Sequence, residues 1–564
     1  MRSDELLKEM AVSASARRGG EAHAGWRRAI RNLLLVALGV YLICAAACSA
    51  PIGGLPTPAP TQTPTPSADP LKGTAIIREN QQAGTDAWRV DRGHQATTQI
   101  QAYASDVSVQ AGDTLTFYVS VQADGDAYTL AIYRLGWYGG LGGRLMYTTD
   151  QVGVAQGYYD AATQRIVDCA TCQFDGATDM IDADWNPSVT VGIPAAWLTG
   201  VYLAKLTEGN GYETTVSFDV RGDPNSAYLA VTSDTTVAAY NTWGGHSFYM
   251  GIGTGEASWN SRAKKVSLNR PVAGPGLAQG LLYEIDTIRW MERMGYDVSY
   301  MSNIDLDLRP NSLDTHRAFI SLGHDEYWSA KMRAVVTHAR DTGIGLAFIG
   351  ANDIYWQIRF ERDNHDVSDR VIVCYKNPGI DPLYQKDNAH LTTQWRDPLV
   401  GQPENSVIGI MYSANTSQPH GYPWYLGPDV SAPLLDGTGL IPGQPYGCDI
   451  VGYEWDRVAK NGRTPANLRV IGASPTVDYH NNQPDTSNTA YYIAPSGALV
   501  FDAGTIAFSY ALDDLRLLEN ADCAGQNDVV PGLQRLMENV MRALVIRHPR
   551  VGATAQPAAP TATP

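Results

Sequence analysis

The run AFISLGHDEYWSAKMRAVVTHAR, residues 318–340, decides how this chain folds. Five mostly apolar residues, Ala318 to Leu322, lead into Gly323, then His324, Asp325, Glu326, Tyr327 and Trp328, and Ser329 opens a stretch with helical spacing. The pattern predicts a strand, a sharp turn and a helix. Gly323 frees the backbone to turn, Ser329 is placed to cap the helix, and Gly343 falls where a C-cap belongs. In an open α/β sheet the carboxyl end of such a strand faces the crevice where ligands bind. An imidazole and two carboxylates crowd that point beside two aromatics able to exclude water, a costly way to make a loop merely soluble.

Outward from that stretch the chain changes character at about Pro224. Strand-like runs at Tyr228 to Thr232, Asp297 to Met301, Ala318 to Leu322 and Gly345 to Ile349 alternate with helical patterns at Leu281 to Met294 and Ala330 to Arg340. Alternation of this kind predicts a mainly parallel sheet with helices on both faces, flavodoxin- or glutamine-amidotransferase-like, over residues 223–548. Further strand-like runs occupy Val407 to Tyr412, Asp449 to Tyr453, Arg469 to Ala473 and Ala498 to Phe501, and Gly532 to Val545 reads as a closing helix. Before Pro224, residues 76–222 alternate in short segments such as Thr114 to Val121, Gly200 to Leu206 and Thr214 to Val220, with no useful helix between them. That predicts an antiparallel β-sandwich, so the expected class is α+β with two domains. The cluster YRLGWYGGLGG, 133–143, is either a structural corner or a loop lining a site.

At 564 residues the chain is too long for one core. Arg27, Arg28 and Arg31 precede an uncharged run from Asn32 to Ala47 that is short for a membrane span and ends Ala45-Ala46-Ala47-Cys48. Residues 1–48 therefore read as an export signal with a lipobox-like end, with Cys48 lipidated, or as an uncleaved anchor. Both place the body outside the cytoplasm, on a bacterial cell membrane. Residues 49–75 are a Pro/Thr-rich extended tether, and 549–564 a disordered tail. Without residues 1–48 the formal charge moves from −16 to −19. Nucleic acid is therefore excluded as a partner, and the membrane enters only through the amino-terminal anchor. An oligomer is compatible with everything in the sequence. Of the seven cysteines, Cys169 and Cys172 lack the further ligands of a zinc site, and an oxidising compartment favours a local disulfide.

In a parallel sheet everything just past each strand shares one edge. The groups that converge are Asp234 to Tyr249, Asp305 with Asp307, His324 with Glu326, Asn352, and Glu454 with Asp456. Carboxylates, an imidazole, an amide and tyrosines around one cleft suit hydrolysis by an activated water. Asp305 and Asp307 read as loop caps. A GxSxG elbow, a P-loop, HExxH and a GxGxxG after a strand are all missing, which disfavours a serine nucleophile and nucleotide binding.

The segments YRLGWYGG (133–140), GVYLAKL (200–206), AYNTWGGHSFY (239–249), GHDEYW (323–328), FIGANDIYWQIR (348–359) and GYEWDR (452–457) resemble the large (beta) subunit of N,N-dimethylformamidase. Order and spacing fit from about Gln95 to Val545. The resemblance implies an iron amidohydrolase whose mononuclear, ferric ion is held by two tyrosines and one glutamate. By motif these are Glu326, Tyr240 and Tyr202, with Tyr249 and Tyr283 next in line for the phenolates. His324 and Asn352 would contact substrate or water, and Glu454 would be the general base that becomes the acid. A phenol ordinarily titrates near ~10 and binds as phenolate where a strong Lewis acid displaces its proton. The expected function is a surface-anchored, metal-dependent hydrolysis of a small amide or formamide. A non-catalytic cell-surface module that binds glycan or peptide is the alternative.

Overall fold

The computed structural model describes residues 69–546 apart from 92, 274–280, 418–420, 516, 518–522 and 524–528. The export signal, the tether up to residue 68 and the tail lie outside the described residues. At the tether's end Leu71 is already buried in the core and the Gly73 N–H donates to Gly295 O at 3.0 Å. Among the described residues no helix is long and apolar enough to cross a membrane.

The chain is α+β and rich in β-structure, with several sheets and few helices. Ile100–Ala104, Thr114–Val121 and Val189–Gly192 form one antiparallel sheet of a sandwich. Ser108–Gln110, Glu213–Arg221, Gly200–Glu208, Ala127–Leu135 and Gly143–Val152 lie in that order in the other. Period-two alternation sends Tyr202, Ala204 and Leu206 inward to meet Leu115, Phe117 and Val119. The intervening Val201 and Leu203 face the opposite way, into a cluster shared with the next sheet. Both faces of Gly200–Glu208 are therefore buried, as its apolar run requires.

In the seven-stranded sheet that follows the sandwich, Val298–Ser302, Tyr228–Thr232, Ala318–Leu322, Gly345–Ile349 and Leu499–Asp502 are neighbours in that order and parallel. Gln483–Ile493 and Arg469–Asp478 extend its edge antiparallel. Helix Ala330–Thr342 packs Met332 and Val336 against Phe319 and Phe348 on one face. Helices Leu281–Met294 and Pro531–Leu544 cover the other, where Ile285, Ile288, Leu533 and Leu536 meet Ala230, Ile320 and Ala347. Each such buried side chain contributes roughly 1.5–3 kcal/mol. Ser329 Oγ accepts the Met332 N–H at 3.1 Å, and Gly343 closes the helix at φ 102°.

The late strands differ from the sequence expectation. Met411–Asn415 replaces the run 407–412, whose first residues follow a 3-10 turn. Strand Pro445–Val451 stops short of Gly452, which turns at φ 135°, so Glu454 and Asp456 lie within a strand of their own, Glu454–Arg457, rather than past the end of one. The fifth parallel strand is Leu499–Asp502. The pair Cys169–Cys172 is a disulfide, and Cys448–Cys523 is a second that spacing does not reveal.

A buried ion pair ties the two sheets together. Arg134 of the sandwich reaches Glu292 of helix 281–294 through Nη2 at 2.8 Å and Nη1 at 3.1 Å, and Tyr300 donates to the same carboxylate at 3.2 Å. Removing one member strands the other charge away from water. Glu292→Ala is expected to lower unfolding stability by about 3–5 kcal/mol; denaturant titration checks this, and a loss under about 1 kcal/mol would contradict it.

Candidate functional site

Where the winding reverses, strands Tyr228–Thr232 and Ala318–Leu322 are neighbours, and the segments past their carboxyl ends come together. Gly323 turns at φ 62°. A Cβ on Gly350, just past the next strand, would fall 1.7 Å from the Gly323 carbonyl oxygen, so only glycine lets these two loops touch. Beyond them Tyr327–Ser329 pairs in parallel with Trp356–Glu361, and the Tyr355 and Trp356 N–H groups both donate to Glu326 O at 2.9 Å. The GHDEYW and GANDIYW segments are thereby clasped together.

Glu326 is the centre of this clasp. Its N–H donates to Thr236 Oγ1 at 2.9 Å, and its carboxylate accepts the Tyr249 hydroxyl at 2.7 and 3.0 Å. Tyr240 stacks on Tyr249 with ring centroids 4.4 Å apart. His324 Nε2 lies 3.4 Å from Glu326 Oε2 and 3.6 Å from Glu454 Oε2, between the two carboxylates, while Nδ1 faces Ala351 O at 3.1 Å. Asn352, at φ 57°, donates from Nδ2 to Glu454 Oε2 at 2.9 Å. His324 Nε2 and Asn352 Oδ1 are buried without a hydrogen-bond partner, the state of groups that await a substrate or water.

Burial opposes every charge here, and neighbours decide which survive. Desolvation would raise Glu326, yet His324, Lys376 and the Tyr249 hydroxyl together hold its carboxyl below the usual range. Burial pushes Glu454 up to about 7, with Glu326 repelling and His324 attracting its charge. Burial lowers His324, yet the adjoining carboxylates of Glu326 and Glu454 outweigh it and push the imidazole up to about 9. Burial and the Glu326 charge push the phenols of Tyr240 and Tyr249 well above their ordinary value.

The structure brings together Glu326, Tyr240, His324, Asn352 and Glu454. It does not bring Tyr202. That side chain faces the sandwich interior, stacked on Trp197 and Phe218 with centroids 5.1 and 5.6 Å away, and its hydroxyl donates to Leu198 O at 2.6 Å. The assignment by motif therefore does not meet this geometry: strand alternation points residue 202 away from the parallel sheet, and the phenol that reaches Glu326 is that of Tyr249. Tyr283 packs on Tyr453 at 6.2 Å. Asp305 pairs with Arg309 and lies 3.6 Å from Arg221, while Asp307 accepts the Ser329 hydroxyl and Lys331 Nζ at 3.1 Å, so both serve the fold. The second strand's contribution is instead Asn303, which donates to Asp325 at 2.7 Å.

Lys376 escaped sequence reading because no motif surrounds it. Its Nζ donates to Tyr327 OH at 2.8 Å and sits 3.3 Å from the Tyr249 ring centroid, and burial, opposed by the pull of Glu326, brings it down to about 7. No cluster of three or more His, Cys, Asp or Glu side chains among the described residues is arranged to hold a metal. The groups at Glu326 are of another kind, a carboxylate with the Tyr249 hydroxyl on it and the Tyr240 ring stacked behind, oxygen donors of the sort that could hold a small, hard cation.

A family model described as N,N-dimethylformamidase beta subunit-like, C-terminal, matches residues 129–524. No curated protein matches the sequence. Similar solved structures include domain 1 of VCBP3 from Branchiostoma floridae, 8% identical, covering 22% of this chain and 97% of that one with a TM-score of 0.14. A chain from a structure of T cell specificity and activation by the bacterial superantigen toxic shock syndrome toxin-1 is 13% identical, with 22% and 97% covered and a TM-score of 0.12. A cycloisomaltooligosaccharide glucanotransferase of Paenibacillus sp., complexed with cycloisomaltoheptaose, is 13% identical, with 50% and 34% covered and a TM-score of 0.15. Scores this low carry no argument about the chain.

Tyr202→Phe is expected to cost about 1 kcal/mol for the lost hydrogen bond and to leave metal content unchanged. Tyr249→Phe removes a donor from the site and is expected to lower metal content. Elemental analysis of the two purified variants checks this, and metal lost from the first but not the second would restore the assignment by motif.

Proposed function

This chain belongs to the N,N-dimethylformamidase beta subunit-like family, and from that premise we propose that it is a metal-dependent amidohydrolase acting on the C–N bond of a small amide or formamide. The observation that carries the reading is the meeting of the Tyr249 hydroxyl with both oxygens of Glu326, beside Tyr240, His324 and Glu454. Glu326, Tyr240 and Tyr249 would hold a mononuclear ferric ion, whose charge three anionic oxygens balance. When bound, the ion supplies Lewis-acid polarisation of a carbonyl and a more acidic water.

The chain's own groups do the rest. Glu454, buried and oriented by Asn352 Nδ2, takes the proton of the attacking water. His324 Nε2, which lies between the two carboxylates, donates to the oxygen that gains negative charge as the carbonyl carbon becomes tetrahedral. The protonated Glu454 then delivers its proton to the leaving nitrogen, so that the C–N bond breaks to a carboxylic acid and an amine. Tyr355 meets Trp356 and Tyr412 edge-on and Lys376 sits over the Trp356 ring, an aromatic cluster that would keep bulk water from these groups. We place this activity outside the cytoplasm, held to the membrane by the amino-terminal segment, on the strength of Arg27, Arg28 and Arg31 before an apolar run that ends at Cys48.

Glu326→Ala is expected to purify without iron. Glu454→Gln is expected to keep a single iron per chain and its phenolate-to-iron absorption while turnover of N,N-dimethylformamide falls about 10²–10⁴-fold. Iron retained by the first variant would refute the ligand assignment, and a colourless, metal-free wild-type protein that binds polysaccharide would favour the binding module.

A further inference from the structure

The strand Glu454–Arg457 presents a second carboxylate to the same loop. Glu454 and Asp456 are two residues apart and so project from one strand face. Asp456 Oδ1 accepts the backbone N–H of Asn352 at 2.8 Å, while Glu454 Oε2 accepts the side-chain amide of the same asparagine at 2.9 Å. One strand thus grips Asn352 at two points. The residue so held is in the left-handed region, at φ 57°, which asparagine tolerates better than other non-glycine residues and which the two contacts hold in place.

The far side of the loop is gripped as well. Asp353 Oδ1 accepts the Asp325 N–H at 2.8 Å, and the Ile354 N–H donates to Asp325 O at 3.0 Å, tying the loop to the segment that carries His324 and Glu326. Asp456, Asp353 and Asp502 are fully buried, and each has one carboxylate oxygen with no hydrogen-bond partner. Among the described residues no arginine or lysine donates to any of the three. Stability alone would replace such groups by apolar ones, so their presence beneath the site asks for a role in the site.

We propose that Asp456 is a positioning residue: it fixes Asn352 in its left-handed conformation, so that the amide of Asn352 orients Glu454 against His324. The inference rests on the hydrolase reading, in which Glu454 moves the proton. Asp456 touches neither Glu326 nor the phenols, and its loss acts through Asn352.

The test compares Asp456→Ala and Asp456→Asn in the full chain, with Asp456→Ser standing in should the alanine variant fail to fold. Asp456→Ala is expected to keep its iron, to lower kcat for N,N-dimethylformamide on the order of 10²-fold, and to leave KM within about twofold, the signature of a misplaced catalytic group. Asp456→Asn, which retains an acceptor at Oδ1, is expected to recover at least a tenfold part of that loss. Crystal structures of the variants decide the matter independently of turnover. Asn352 leaves the left-handed region and its amide parts from Glu454 in the alanine variant, and both stay in the asparagine variant. An alanine variant with Asn352 and Glu454 unmoved, or with kcat unchanged, would overturn the proposal, whereas a Glu454→Gln enzyme with full turnover would overturn the hydrolase reading instead.

Discussion

A carboxylate taken out of water must be met by donors or by a cation, and Glu326 is where this chain faces that demand most sharply. It sits at the end of a fully buried strand, 2% exposed, with a second carboxylate across His324. Two anions this close cannot both be left bare in a low-dielectric pocket. The imidazole between them, the Tyr249 hydroxyl and the Lys376 ammonium over the Tyr249 ring are what the chain supplies. They satisfy the carboxylate without neutralising it by direct contact with an arginine, the ordinary structural solution. A site that keeps its anion in this way is preorganised for a cation or a reacting group rather than for stability.

The rest of the architecture holds that arrangement in place. Parallel pairing of Ala318–Leu322 with strands on both sides delivers three loops to one edge, and the close passage of Gly350 over Gly323 locks two of them together. The sandwich buttresses the same region from outside. Its five-stranded sheet gives one face to its own core and the other to the cluster under helix 281–294, where Arg134 and Glu292 make a buried link. Packed elements with a shared core move little relative to each other, which suits a site whose parts come from positions as far apart as 240 and 456.

Much of this was legible in the sequence because it depends on periodicity. The helix at 281–294, the capped helix after Ser329 and the first four parallel strands follow from apolar spacing and from Ser and Gly at the ends. That His324, Glu326, Asn352 and Glu454 meet in space is legible because each lies at a strand end or in a motif with several polar groups in a row. Tyr202 misled for the opposite reason: in a strand buried on both faces, alternation says which residues share a side but not which side meets the next sheet. Tyr249 is legible only as an alternative to Tyr202, and Lys376 not at all, because both depend on how residues 241–268 and 371–377 fold back over the site, long-range packing that no local pattern records. The late strands were displaced by a few residues where Gly452 turns the chain.

The account stands on one spatial claim, that the oxygens of Tyr240, Tyr249 and Glu326 bind a single ion. Anomalous diffraction collected on either side of the iron absorption edge, from crystals of the purified protein, measures it directly. The account predicts one iron peak within bonding distance of both phenol oxygens and the carboxylate, with His324 and Glu454 beside it. A peak elsewhere, or one that touches Glu326 but neither phenol, would contradict it.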